Sequence, residues 1–253
     1  MSQQDSSLRT PSGGWAGLTV GITGPSGALG QSLIKAFLGE GARVVALSHR
    51  SQAQAQTSIG EGQEWVRWSC GEESQLESVL KSVDVLVLNH GVNPGGDQSP
   101  ETLSNTLEVN AFSYWRLIQL FEAIANREPN PLHPRELWVN TSEAEIQPAL
   151  SPAYELSKRL IGELVSLRWS NRDENQDKCL RLRKLILGPF RSNLNPIGVM
   201  TPEFVTRQVM WQARIGLNLI IVTPNPITYI LMPAVELMRK GYHWALRVNP
   251  HDQ

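Results

Sequence analysis

The chain has 253 residues, 41% hydrophobic and 19% charged, which gives enough apolar surface for a buried core and too little charge repulsion for a disordered chain. With 23 basic against 24 acidic residues the net charge is -1, so no field favours polyanions and nucleic acid is not an expected partner. Cys70 and Cys179 are the only cysteines and have no Cys-x-x-Cys spacing or histidine at metal-ligand spacing. Neither a disulfide framework nor a metal site is expected, and a reducing cytoplasm fits.

Residues 1–14 are rich in Ser, Gln and Gly with one leucine, a composition that predicts a flexible tail and lacks the apolar stretch of a signal peptide. No later run is long and apolar enough to span a bilayer. From Leu18 short β-branched runs alternate with helical stretches: LTVGIT, a helix from about Leu29 to Leu38, then ARVVALS, a βαβ unit. EWVRWS follows, then a helix near Ser74 to Lys81, VDVLVLN, one helix from about Pro100 to Asn126, ELWVNT, and a helix from about Pro152 to Arg168. LRLRKLIL and LNLIIV are the last strands. Nearly continuous apolar strands suit a parallel sheet buried on both faces, with the helices as crossovers. The expected fold class is doubly wound α/β (Rossmann), a mostly parallel sheet of about seven strands with helices on both faces. Pro/Gly-rich punctuation at 91–100, 128–134 and 188–202 predicts loops. The first and last of these follow strand C-termini, where open α/β sheets bind ligands.

Chemistry enters at the first strand end. TGPSGALG runs straight into a helix: Gly24 permits a tight turn, Gly27 lets backbone amides approach a pyrophosphate, and Gly30 permits close helix packing. Gly24, Ser26, Gly27, Leu29 and Gly30 are the expected dinucleotide contacts. At the second strand end, where an NAD reader places a carboxylate, stand Ser48, His49 and Arg50. Arg50 is suited to a 2'-phosphate, so NADP(H) is the expected cofactor, with NAD(H) as the second choice. Asn89-His90-Gly91 closes the fourth strand, with Asn89 and Gly91 near a bound ribose. His90 lacks a Ser or Cys partner with a positioned acid and is not expected to be catalytic.

Tyr154 and Lys158 are spaced i, i+4, so they share a helix face. The ammonium is then placed to stabilise a phenolate and lower a pKa that starts near 10. A strand ending in Asn140-Thr141-Ser142 precedes them by a dozen residues, bringing a hydroxyl, from Ser142 or alternatively Thr141, to the same pocket.

Together these motifs resemble the short-chain dehydrogenase/reductase family in its single-domain form, from about Leu18 to Val222. The resemblance implies that Tyr154 is the proton donor, Lys158 its activator and a ribose ligand, Ser142 the residue that orients a carbonyl, and Asn110, within LEVNAFS, a support for proton relay. LGPFRS, ending at Ser192, is similar to the segment that holds the nicotinamide carboxamide. More narrowly, LNHGVN, ELWVNTSEAEIQPALSPAYELSKR and RKLILGPFRSNLNPIGVM resemble the reductase half of cyanobacterial sterol desaturase/short-chain dehydrogenase proteins. Residues 15–225 are then one NAD(P)-binding domain and 226–253 its helical C-terminal extension. The implied activity is hydride transfer between nicotinamide and a carbonyl or alcohol on an apolar or lipid-like small molecule, in a homo-oligomer. Two alternatives stand: a non-catalytic NADP-binding sensor or assembly protein, and a sugar-nucleotide epimerase or dehydratase. The latter is suggested by the G-x-x-G-x-x-G spacing, but needs a larger substrate domain than the residues after Leu187 provide. The C-terminal stretch PITYILMPAVELMRKGYHWALR reads either as a helix closing the cleft or a dimer face, or as an interfacial segment giving peripheral membrane contact. The eight tryptophans are candidate linings for an apolar tunnel.

Overall fold

The computed structural model describes residues 14–51, 62–130, 133–170 and 178–245; the expected tail falls almost wholly outside them. Strands β1 (Thr19–Thr23), β2 (Arg43–Ser48), β3 (Gln63–Arg67), β4 (Val85–Leu88), β5 (Arg135–Asn140), β6 (Leu180–Leu187) and β7 (Leu219–Val222) form one sheet in the order β3-β2-β1-β4-β5-β6-β7. Every pairing is parallel. The order reverses between β1 and β4, which opens a crevice at the strand C-termini.

Helices α1 (Ala28–Gly39), α2 (Glu77–Leu80), α3 (Pro100–Leu107), α4 (Ser113–Arg127), α5 (Pro152–Ser170), α6 (Pro202–Arg214) and α7 (Thr228–Ala245) cover both faces. One core layer packs Leu33 and Phe37 of α1 and Val205 and Val209 of α6 against the sheet, with Trp15 and Trp138. The other packs Leu117 and Phe121 of α4 and Ile161 and Val165 of α5. This two-sided burial explains why β1 and β4 read as unbroken apolar runs.

Three elements differ from the sequence expectation. The single helix over 100–126 is two helices joined by a π-helical turn, Glu108–Phe112, a wide turn frequent at functional sites. The segment near Ser74–Lys81 begins as a tight 3-10 turn, Glu73–Leu76, before α2. Helix α6 was not expected, although Thr201 caps it by accepting from the Phe204 amide at 3.2 Å and Pro202 occupies its first turn. The tryptophans do not form a tunnel. Trp15 and Trp138 pack edge-on in the core, Trp211 is exposed, and Trp68 is the cleft-lining tryptophan among the described residues.

Candidate active site

A cleft of about 1080 Å³ lies along the C-terminal ends of β1, β2, β4, β5 and β6. Its lining includes Gly24, Ser26, Gly27, Ser48, Arg50, Asn89, Gly91, Ser142, Tyr154, Lys158 and Ser192, so the fold brings most of the sequence candidates together. Leu29, Gly30 and Asn110 stand outside this lining, each for a physical reason. The Leu29 side chain is buried in the core beneath the turn. A Cβ on Gly30 would collide with the Gly24 carbonyl oxygen, so its role is close packing of α1 on the strand. The third case, Asn110, clamps a loop: its Oδ1 accepts from the Val92 amide at 2.9 Å, while Nδ2 donates to the Val92 carbonyl at 2.9 Å and to Ser157 Oγ at 3.0 Å.

The residues at the nucleotide end fit a dinucleotide. Gly24 has φ +65°, and a Cβ there would strike the His90 backbone. Gly27 caps α1 with no side-chain hydrogen bond, leaving the first-turn N–H groups for an anion. The Ser48 hydroxyl accepts from the Arg50 amide at 3.1 Å and Trp65 Nε1 donates to the Arg50 carbonyl at 2.9 Å, which fixes the backbone of an exposed guanidinium at the cleft edge. His90 is locked between Thr23 Oγ1 (2.8 Å to Nδ1) and Ser113 Oγ (3.2 Å to Nε2). Burial, with a further push from Lys158, lowers its pKa to about 3. The ring therefore stays neutral and braces the floor.

At the reacting end, Tyr154 and Lys158 face the cleft from one side of α5. Lys158 Nζ donates to the Asn140 carbonyl at 3.1 Å and lies 5.2 Å from the Tyr114 ring centroid and 5.8 Å from that of Tyr154. Burial lowers its pKa to about 8, opposed by the negative charge of Glu145. Tyr154 behaves differently from the sequence expectation. Burial raises its pKa above the ordinary value, and only the hydrogen bond with the Ser142 hydroxyl works the other way. With the ammonium aimed at Asn140, the phenol keeps its proton and stands as a donor. Between the two candidate hydroxyls the geometry is plain: Thr141 Oγ1 donates to the Leu185 carbonyl at 3.1 Å, whereas Ser142 meets Tyr154.

Two features escaped the sequence reading. The outer walls carry Asn93, Asn105, Glu143, Gln147, Asn193 and Asn195, a set that both donates and accepts. Behind α5, Lys184 is fully buried and paired with Glu145 at 2.6 Å and Glu236 at 2.8 Å. Gly162, one turn beyond Lys158, leaves the space that the Glu145 carboxylate occupies.

Residues 20–144 match the NAD dependent epimerase/dehydratase family. Two solved structures superpose over nearly the whole chain at 16% identity and TM-score 0.73. One is a short chain dehydrogenase from Burkholderia cenocepacia in complex with NADP, covering 93% of this chain and 99% of its own. The other is a short-chain dehydrogenase from Sphingobium yanoikuyae in complex with NADPH, with 92% and 97% covered. The fold is that of short-chain dehydrogenases and NAD-dependent epimerases. Among curated proteins, the monoglucosyldiacylglycerol epimerase of Synechocystis is 42% identical over 230 residues, 89% of this chain and 54% of that protein. The chain thus spans about half the length of the relative, which is named an epimerase rather than a desaturase or a reductase.

Proposed function

We propose that the chain is an NADP-dependent enzyme that epimerises a hydroxyl-bearing carbon in the sugar of a glycolipid, through a transient ketone. The observation that carries this reading is the lining of the cleft. The Tyr154, Ser142 and Lys158 set opens onto walls rich in amides, while Leu150, Leu194 and Ile197 line the mouth and are strongly exposed. Amides suit a polyhydroxyl headgroup and an apolar lip suits its lipid, whereas a purely apolar substrate would leave Asn105 and Asn193 of the lining facing hydrocarbon. The name of the Synechocystis relative supports the same substrate class.

Bound between the α1 N-terminus and Ser192, the nicotinamide cofactor would supply a reversible hydride acceptor. The chain's own residues handle the proton. Ser142 would hold the sugar oxygen beside Tyr154; the phenolate form of Tyr154, steadied by the positive charge of Lys158, would take the proton of the sugar hydroxyl as that carbon is oxidised, and the phenol so formed would return it as the ketone is reduced. The walls around this site come from the segments after β4, β5 and β6, which would stand in for the larger substrate domain that the epimerase alternative calls for.

Incubation with monoglucosyldiacylglycerol and NADP, followed by chromatography of the sugar released from the lipid, tests this. A glucose epimer is expected with no net change in cofactor absorbance. Net cofactor reduction with an oxidised headgroup would instead support the simpler dehydrogenase reading that the Tyr154 and Lys158 pair equally allows.

Cofactor choice is checked separately. Arg50→Ala is expected to weaken NADPH about ten- to a hundredfold and to leave NADH nearly unchanged, as loss of one charge-assisted phosphate contact implies. Equal losses in fluorescence titrations with both cofactors would remove Arg50 as the 2'-phosphate ligand.

A further inference from the structure

Among the described residues, the outer face of α7 is uncharged. Ile227 just before it, then Ile230, Leu231, Leu237, Met238 and Tyr242 recur at helical spacing and are 43–72% exposed, while Thr228, Met232 and Glu236 on the opposite side are buried. Of the described basic side chains of the helix, Arg239 pairs with Glu163, and Lys240, although exposed, lies 4.9 Å from the Trp169 ring centroid.

The start of this helix lies beside the cleft wall. Gln147, a lining residue, donates to Thr228 Oγ1 at 3.0 Å, and Thr223, just before the helix, bonds through its hydroxyl to Glu143, another lining residue. The first turn of α7 is thereby fixed to the wall that ends in the exposed Leu150. Exposed apolar surface this extended marks an interaction site.

We propose that the cleft lip and the outer face of α7 together rest on a lipid bilayer, holding the mouth against the membrane surface so that a lipid-linked sugar enters without leaving its leaflet. This rests on the glycolipid reading. A second copy of the chain would only cover the apolar side chains, whereas a bilayer covers them and also delivers a lipid-linked substrate. Because the face itself is uncharged, attachment is by apolar insertion, and zwitterionic lipid suffices.

The test uses the full chain and phosphatidylcholine vesicles at low and high salt, read by co-sedimentation and light scattering. Wild type is expected to bind at both salt concentrations. Ile230→Glu/Leu237→Glu is expected to lower the bound fraction at least about tenfold while NADPH titration is unchanged, which confirms folding; Ile230→Ser/Leu237→Ser is expected to weaken binding less. Wild type that fails to sediment, or a Glu variant that sediments as well as wild type, would overturn the proposal. So would a wild-type dimer that the Glu variant converts to monomer. Vesicle binding is read without turnover. Failure of the sugar assay with binding intact therefore counts against the epimerase reading alone, and loss of binding with an epimer still formed counts against docking alone.

Discussion

Tyr154→Phe is expected to reduce turnover at least about a hundredfold while leaving NADPH affinity nearly unchanged. The substitution removes one oxygen and keeps the ring, so the wall of the cleft survives, but the group that exchanges a proton with the substrate is gone; positioned acid–base groups are worth about 10²–10⁴ in rate. Steady-state rates beside fluorescence titration of NADPH check both halves of the expectation, and rates within about threefold of wild type would remove Tyr154 from the chemistry. Lys158 adds a pH dependence. Its pKa is lowered to about 8 by burial, so the ammonium is present below that pH and lost above it. Turnover that relies on the ammonium should fall as pH rises through about 8. The sign for stability is opposite: the unfolded lysine, with its ordinary value of 10.5, binds the extra proton between about 8 and 10.5. Burial of Lys158 therefore costs stability below about 8, and that cost is relieved as pH rises.

Lys184→Met is expected to destabilise the fold by about 3–5 kcal/mol, the usual result of stripping the partner from buried charges. Lys184 is 1% exposed and pairs with Glu145 and Glu236, which are 8% and 7% exposed at their side chains; Ser166 Oγ and the Gly162 carbonyl, 2.8 and 3.2 Å from Nζ, share its third proton. Without the ammonium, two carboxylates lie buried beside each other. Glu145 already has its pKa raised, chiefly by burial. Chemical denaturation is the measurement, and the triple change Lys184→Met/Glu145→Gln/Glu236→Gln should recover much of the loss, because it removes the stranded charges along with their partner. A loss below about 1 kcal/mol for the single variant would mean that water reaches this network.

Much of the fold is legible in the sequence because local and tertiary demands agree. LTVGIT and VDVLVLN are apolar enough to be strands buried on both faces, and the glycines after the first strand have one structural use apiece. Gly24 takes a left-handed turn against His90, and Gly30 packs on Gly24. Helix α6 was hidden because its Thr-Pro-Glu start ends a Pro/Gly-rich stretch that reads as loop. In the site, Tyr154 and Lys158 are set by a single helix face, which spacing reveals. The roles of Ser142 and Thr141 depend on which hydroxyl the neighbouring strand consumes, and only the pairing of β5 with β6 decides that. Asn110 lies in the expected helical region, yet a π-helical turn gives its amide to Val92 and Ser157. The Lys184 network did leave a trace: a lysine and two arginines in a strand buried on both sides demand acidic partners, and Glu136 meets Arg183 at 2.8 Å just as Glu145 meets Lys184. The amide-rich walls left no periodic signal, since Asn93, Asn105, Gln147, Asn193 and Asn195 come from separate segments.

In the proposed epimerisation a hydrogen leaves a sugar carbon and returns to the other face of that carbon. This is tested most directly with monoglucosyldiacylglycerol whose sugar carries deuterium at every carbon-bound position, incubated with the full chain and NADP in ordinary water. Mass spectrometry of the epimeric sugar released from the lipid should show every deuteron retained, because the hydrogen is held within the cleft and never meets solvent. An epimer that has lost the deuteron of the inverted carbon to water would show that this carbon is deprotonated rather than oxidised, and would overturn the proposed mechanism.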